Sequence, residues 1–196
     1  MKVKDTDTRT HILDTGRRLT ALRGYTAVGL GELLKVAGVP KGSFYHYFPS
    51  KEAYGCALLD TFVSEYDDKL AATLKRNDLN ARQRMLSYFE GWKIRQLSPD
   101  PEHRCLVVKL AAEIADLSED MSEILNTGVN KIIEVLSETL QQGVADGSIT
   151  PVDDCRLTAA TIYHLWLGAS LVASLSHDDA PLLSAMQATE KLIPEA

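Results

Sequence analysis

Apolar residues recur three and four positions apart along almost the whole chain, and no stretch of any length alternates with period two. A period of 3.6 lines up side chains on one face of a helix, whereas period two lines them up on a strand. The chain is therefore predicted to be all-α, with about nine helices. Ile12, Leu13, Gly16, Leu19 and Leu22 draw the first stripe, on a helix from about Thr8 to Arg23. Gly24 follows where a left-handed residue commonly closes a helix. Leu30, Leu33, Leu34 and Ala37 mark a short second helix, stopped by Gly38. Pro40 fits the first turn of a third, because its missing N–H is an orphan donor there anyway. Pro49 ends that helix near Phe48. Further helices are predicted over 51–74, around Met85–Trp92, and over 105–116, 117–144, 156–177 and 181–192.

The 196 residues are 45% hydrophobic and 24% charged, a globular balance that excludes a disordered chain. The start, Met1 to Asp7, has no apolar core of a leader, which predicts no secretory signal. Cys56, Cys105 and Cys155 lie far apart with no CxxC pair, which predicts free thiols in a reducing, cytoplasmic setting. The net charge of −6 hides a split. Residues 1–55 hold nine Lys and Arg against five Asp and Glu, a net +4, while 56–196 hold twelve against twenty-two, a net −10. A basic head on an acidic body suits a polyanion partner for the head alone. The expected division is a head at 1–50 and a helical body at 51–196.

The stretch from Leu157 to His177 carries no formal charge over 21 residues, long enough to span a bilayer. Its Thr158, Thr161, His164, Ser170, Ser174 and Ser176 are too polar for lipid, so no membrane partner is expected. A soluble helix that is apolar all round is covered on several sides. Large residues alternating with Gly168, Ala169 and Ala173 suit close helix contact, either in a subunit interface or in the interior. The interface reading assigns Tyr163, Leu167, Gly168, Leu171 and Leu175 to a homodimer.

Residues 26–51 carry the chemistry. They read as two short helices joined by a tight glycine turn, the helix-turn-helix plan. Ala37 is small where the helices cross, Gly38 takes the turn and Val39 fills the space between them. Phe44 and Phe48, four apart, face inward on the third helix. Ser43, Tyr45, His46 and Tyr47 are left around its exposed side and start. Those short donors and flat rings with polar tips suit phosphate oxygens and base edges in a major groove. Lys41 and Gly42 open the helix, Gly42 leaving it thin enough for close approach. Lys51 opens the next helix, where its ammonium and the helix N-terminus can both hold a phosphate.

The run Gly38-Val39-Pro40-Lys41-Gly42-Ser43-Phe44-Tyr45-His46-Tyr47-Phe48, followed by Ser50-Lys51-Glu52, resembles the signature of the TetR/AcrR transcriptional regulators. With the preceding helix the likeness covers about residues 8–55. Cys105 to Leu110, Asp116 to Met121 and Leu165 to Ala169 further resemble the N-ethylmaleimide-responsive members. The resemblance implies a homodimeric repressor that binds a palindromic double-stranded operator. It implies release by a small-molecule ligand or a thiol-reactive electrophile or oxidant, with no cofactor. Much of the family has Ser or Thr near Gly29 to cap the second helix, and glycine caps more weakly. The responsive members also carry a lysine near the position aligned with Ser174, where this chain departs.

Cys105 follows Pro101-Glu102-His103-Arg104 and opens a helix, with Arg104 and Lys109 adding positive charge. A helix N-terminus and nearby cations lower a thiol pKa, which makes Cys105 the sensor thiol. The competing reading is a buried structural cysteine. Cys56 and Cys155, with acidic neighbours, read as structural. Gly29-Leu30-Gly31 lacks the third glycine and the preceding strand of a dinucleotide fingerprint. The five histidines are scattered, so neither a metal site nor a catalytic signature is expected. The alternative function is a helical thiol enzyme or small-molecule carrier with a vestigial head, built on His103 and Cys105 as base and nucleophile.

Overall fold

The computed structural model describes residues 5–196, with side chains from Thr8 onward; the leader reading concerns residues 1–7, of which Met1–Lys4 lie outside the described residues. Helix α1 spans Asp5–Arg23, beginning ahead of the predicted Thr8. It buries Ile12, Leu13 and Ala21, while Leu22, predicted for the same stripe, stays 56% exposed. Ala21 takes the inward position of its last turn, and Tyr25, just past the helix end, is buried as well. Gly24 closes the helix at φ +87°, its N–H donating to the Thr20 carbonyl at 2.8 Å. Helix α2, Leu30–Ala37, buries Leu33, Leu34 and Ala37. Gly38 is left-handed at φ +64°, and the Val39 N–H donates back to Leu34 at 3.1 Å, which satisfies an orphan carbonyl.

Helix α3 spans Lys41–Tyr47. Pro40 sits one residue earlier than predicted, as the N-cap, and extended Phe48 ends the helix before Pro49. Ser50 caps α4, Lys51–Leu74, its Oγ accepting from the Ala53 N–H at 2.9 Å. Asn80 and Gln83 form a reciprocal capping box on α5, Ala81–Gln96. The loop that follows contains a 3-10 turn at Pro101–His103, which apolar spacing does not reveal; Asp100 fixes it by accepting from the Glu102 N–H. Cys105 is the N-cap of α6, Leu106–Ala115. Ser118 caps α7, Glu119–Ala145. Asp154 caps α8, Cys155–Ser176, and α9 spans Ala180–Leu192. Nine α-helices and no strand occur among the described residues.

The chain forms two compact units that interleave in sequence. One joins the residues up to Ser64 with Asp100–Asn126; the other joins Glu65–Pro99 with Thr127–Ala196. The core of the first gathers Ile12 and Leu33, Phe44, Phe48, Tyr54 and Leu58, and adds Leu110, Ile114 and Met121 from α6 and α7. Each phenyl ring buried there contributes about 1.5–3 kcal/mol. The second unit is built on aromatics. Phe89 stacks on Trp166 at 5.0 Å, Trp92 meets Tyr163 edge-on at 5.6 Å, and Trp92 Nε1 donates to Ser170 Oγ.

Helix α8 has a buried face of Ala159, Ile162, Tyr163, Trp166, Ser170 and Ala173. Its other face is apolar but uncovered in the single chain, with Leu165, Leu171, Val172 and Leu175 exposed. It is long and apolar enough to cross a membrane by length and composition alone.

Candidate nucleic-acid interface

Four-residue spacing decides which side of α3 faces out. Phe44 and Phe48 are sealed in the core and their rings lie 5.3 Å apart. Tyr45 and His46, one and two positions on from Phe44, are exposed with Lys41 and Gly42. Ser43 is half-buried. Tyr47 is half-buried too, but it packs against the head core and meets His46 edge-on at 4.9 Å. Its ring helps to position the helix, and less of it is available to a partner than the predicted open side implies. A Cβ added at Gly42 would meet nothing within 4 Å, so the fold itself does not demand glycine there. That clearance leaves the start of α3 open to close approach.

The Lys41 ammonium lies over the Tyr45 ring at 5.8 Å. Lys51 lies over Tyr25 at 5.0 Å, and the Tyr25 hydroxyl donates to the Lys51 carbonyl at 2.7 Å. Both cations are thus placed by aromatic rings rather than left to wander. Arg9 was not among the predicted contacts, yet its guanidinium lies 5.3 Å over Phe48 beside α3. Only its place in the basic quarter could have pointed to it. His11, also on α1, donates through Nε2 to the Ala37 carbonyl at 3.0 Å and ties α1 to the end of α2. Gly29 caps α2 with no side-chain bond; its carbonyl accepts from the Glu32 and Leu33 N–H groups. The exposed surface of α3 and the start of α4 can together present hydroxyls, an imidazole and the Lys41 and Lys51 cations to a phosphate backbone and the base edges of a groove.

None of the three cysteines is in a disulfide, and all three are half-buried. Cys105 lies at the α6 N-terminus in the same compact unit as α3. Burial pushes the Cys56 thiol up, and the carboxylates of Asp120, Glu52 and Asp60 push it further. His103 lies 4.0 Å from Asp100 across the 3-10 turn. No group of three metal-binding side chains converges among the described residues.

The dimer assignment divides. Leu171 and Leu175 are 51% and 75% exposed on the uncovered face of α8. Gly168 lies there as well, with open space where a Cβ would be, and Leu167 is half-buried. Tyr163 is fully buried against Trp92 in the interior of its own subunit, so it cannot meet a second chain. On a helix whose polar residues are uncharged and scattered, no charged stripe marks which side the core will take.

Known proteins share both the fold and the sequence. Residues 12–53 match the bacterial regulatory proteins of the tetR family, and residues 81–189 match the tetracyclin repressor-like C-terminal domain. The chain is 41% identical to the HTH-type transcriptional repressor NemR of Escherichia coli, over 95% of this chain and 94% of that one. It is 28% identical to the HTH-type transcriptional repressor DhaR of Mycobacterium sp. strain GP1, over 90% and 87%. The crystal structure of E. coli NemR in its reduced form superposes with a TM-score of 0.92, covering 97% of this chain and 98% of that one. With two domain matches and a relative alike over nearly its whole length, the chain belongs to the tetR family of bacterial regulatory proteins.

Proposed function

We propose that the protein is a cytoplasmic transcriptional repressor that binds a palindromic operator as a homodimer and releases it when an electrophile or oxidant modifies Cys105. Residues 1–50 form the reading head and 51–196 the sensing and pairing body. The carrying observation is the two-sided α3, with Phe44 and Phe48 sealed inside and Tyr45 and His46 turned out. Lys41, Gly42, Ser43 and Tyr47 flank that surface, and Lys51 meets the backbone. Two heads then occupy half-sites one helical turn apart or a multiple of it. The exposed apolar face of α8 supports the pairing.

Duplexes selected from a random pool by the protein itself provide the operator. Lys51→Ala should weaken binding to all sequences and reduce the salt slope by about one. Tyr45→Ala should cost affinity without unfolding the body. N-ethylmaleimide should dissociate the wild type and leave Cys105→Ser bound. Full operator binding by the Tyr45/Lys51 double variant would remove α3 from the interface. Full release of Cys105→Ser by the reagent would make the effector act elsewhere.

A further inference from the structure

Beside the apolar packing of Leu110 and Ile114, helix α6 is fastened to the reading head by the carboxylate of Glu113. Glu113 accepts from the Tyr25 N–H at 2.9 Å through one oxygen. Its other oxygen accepts from the Thr26 N–H at 3.0 Å and the Thr26 hydroxyl at 2.6 Å. Three donors on one side chain, 87 and 88 positions away in sequence, make a fixed clamp rather than a passing surface contact. Charge-assisted bonds of this kind are about twice as strong as neutral ones. The loop is shaped for it. Gly24 turns with φ +87°, and a Cβ there would lie 2.7 Å from the Glu113 carboxylate, so both backbone and space call for glycine.

The clamped residue leads onward to a predicted phosphate contact. Tyr25 holds the Lys51 carbonyl with its hydroxyl and the Lys51 ammonium against its ring. Burial, then Cys56 and Glu52, push the Tyr25 phenol up to about 12, so it remains a donor at neutral pH. Glu113, Tyr25 and Lys51 therefore form one continuous hydrogen-bonded and ring-packed corner. Cys105 opens the helix on which Glu113 sits, eight residues earlier, about 12 Å along its axis.

We propose that Glu113 is a positioning residue for operator binding: it holds Tyr25 and Thr26 so that Lys51 meets the phosphate backbone, and it passes displacement of α6 to that contact. The second half rests on the electrophile reading above; the first does not.

The experiment uses the full chain, the selected operator and four proteins: wild type, Glu113→Gln, Lys51→Ala and the double variant. Glutamine keeps the shape but replaces one acceptor oxygen with a donor that faces the loop N–H groups. Operator dissociation constants are measured across a salt series, before and after N-ethylmaleimide, at a temperature where circular dichroism shows each protein folded. Glu113→Gln is expected to weaken operator binding about tenfold and to reduce the salt slope by about one, as Lys51→Ala does. Lys51→Ala should then add little in the double variant. Glu113→Gln should also respond to the reagent with a markedly smaller fold-change than wild type. A residue that merely glued the fold would lower the melting temperature and leave the salt slope and the fold-change untouched, and that result overturns the proposal. Strict additivity of the two substitutions overturns it as well. If wild type ignores the reagent while the salt slope and non-additivity behave as expected, the electrophile reading fails and Glu113 keeps its positioning role. Thr26→Val, which removes one donor and keeps the backbone, should give a weaker version of the same effects.

Discussion

Two half-buried thiols meet opposite surroundings. Cys56 faces Asp120, Glu52 and Asp60, and both burial and those charges hold its proton on. Cys105 stands at a helix start with Arg104 before it and Lys109 one turn on. Only the thiolate is a nucleophile, so limiting N-ethylmaleimide at pH 7 should label Cys105 well before Cys56. Peptide mass spectrometry at short times reads the order, and Cys56 labelled first would reverse the assignment. Glu113 gives a pH signature at the same scale. Burial raises its carboxyl, but the hydroxyl and amide of Thr26, the amide of Tyr25 and the Lys109 charge outweigh that and leave it below the usual range. A folded-state value below the unfolded one means stability that is complete above the ordinary glutamate value of about 4.3 and is lost as pH falls through the lowered one. The melting-temperature gap between wild type and Glu113→Gln should therefore be widest near neutrality and close in acid. A gap that persisted or widened in acid would contradict the clamp's charge.

Elements differ in how much their residues disclose. Capped helices with one apolar stripe read directly: α2, α3 and α4 begin and end within a residue or so of their expected bounds, because Gly38, Pro40, Pro49 and Ser50 leave the backbone few choices. The inward Phe44 and Phe48 followed from spacing alone. Helix α8 disclosed its existence but not its orientation, which is why Tyr163 was placed outside and proves to be core. The Glu113 clamp had no local trace, since its partners lie on another helix end and only the folded chain brings them together. Two substitutions test elements. At Gly29 the backbone is extended, φ −71° and ψ 145°, and a Cβ meets nothing within 4 Å. Gly29→Ser should supply the missing side-chain acceptor for α2, worth a few tenths of a kcal/mol, or about 1 °C by calorimetry. An unchanged or lower melting temperature would show that glycine is kept for another reason. On α8, Gly168 is exposed with open space where a Cβ would be, so the Gly168→Arg variant should fold. If α8 pairs with its mate, it should bury an unmatched charge there and elute as a monomer or aggregate, as should Leu171→Glu. Light scattering that found both variants stably dimeric would put the pairing face elsewhere.

At the scale of the whole molecule, pairing through the uncovered leucines of α8, as proposed, would tie activity to the number of copies present. If the pairing proposed above uses this face, a subunit that leaves Leu171, Val172 and Leu175 in water gains free energy by finding a second one, and association adds to the stability of the fold. Heat-denaturation midpoints should climb with the logarithm of protein concentration, and a midpoint independent of concentration would separate the two processes. Where subunits are scarce enough to part, an operator that needs two heads is occupied in proportion to the square of their concentration. A halving of synthesis would then cut occupancy fourfold, giving the cell a threshold set by abundance alone, independent of any chemical signal.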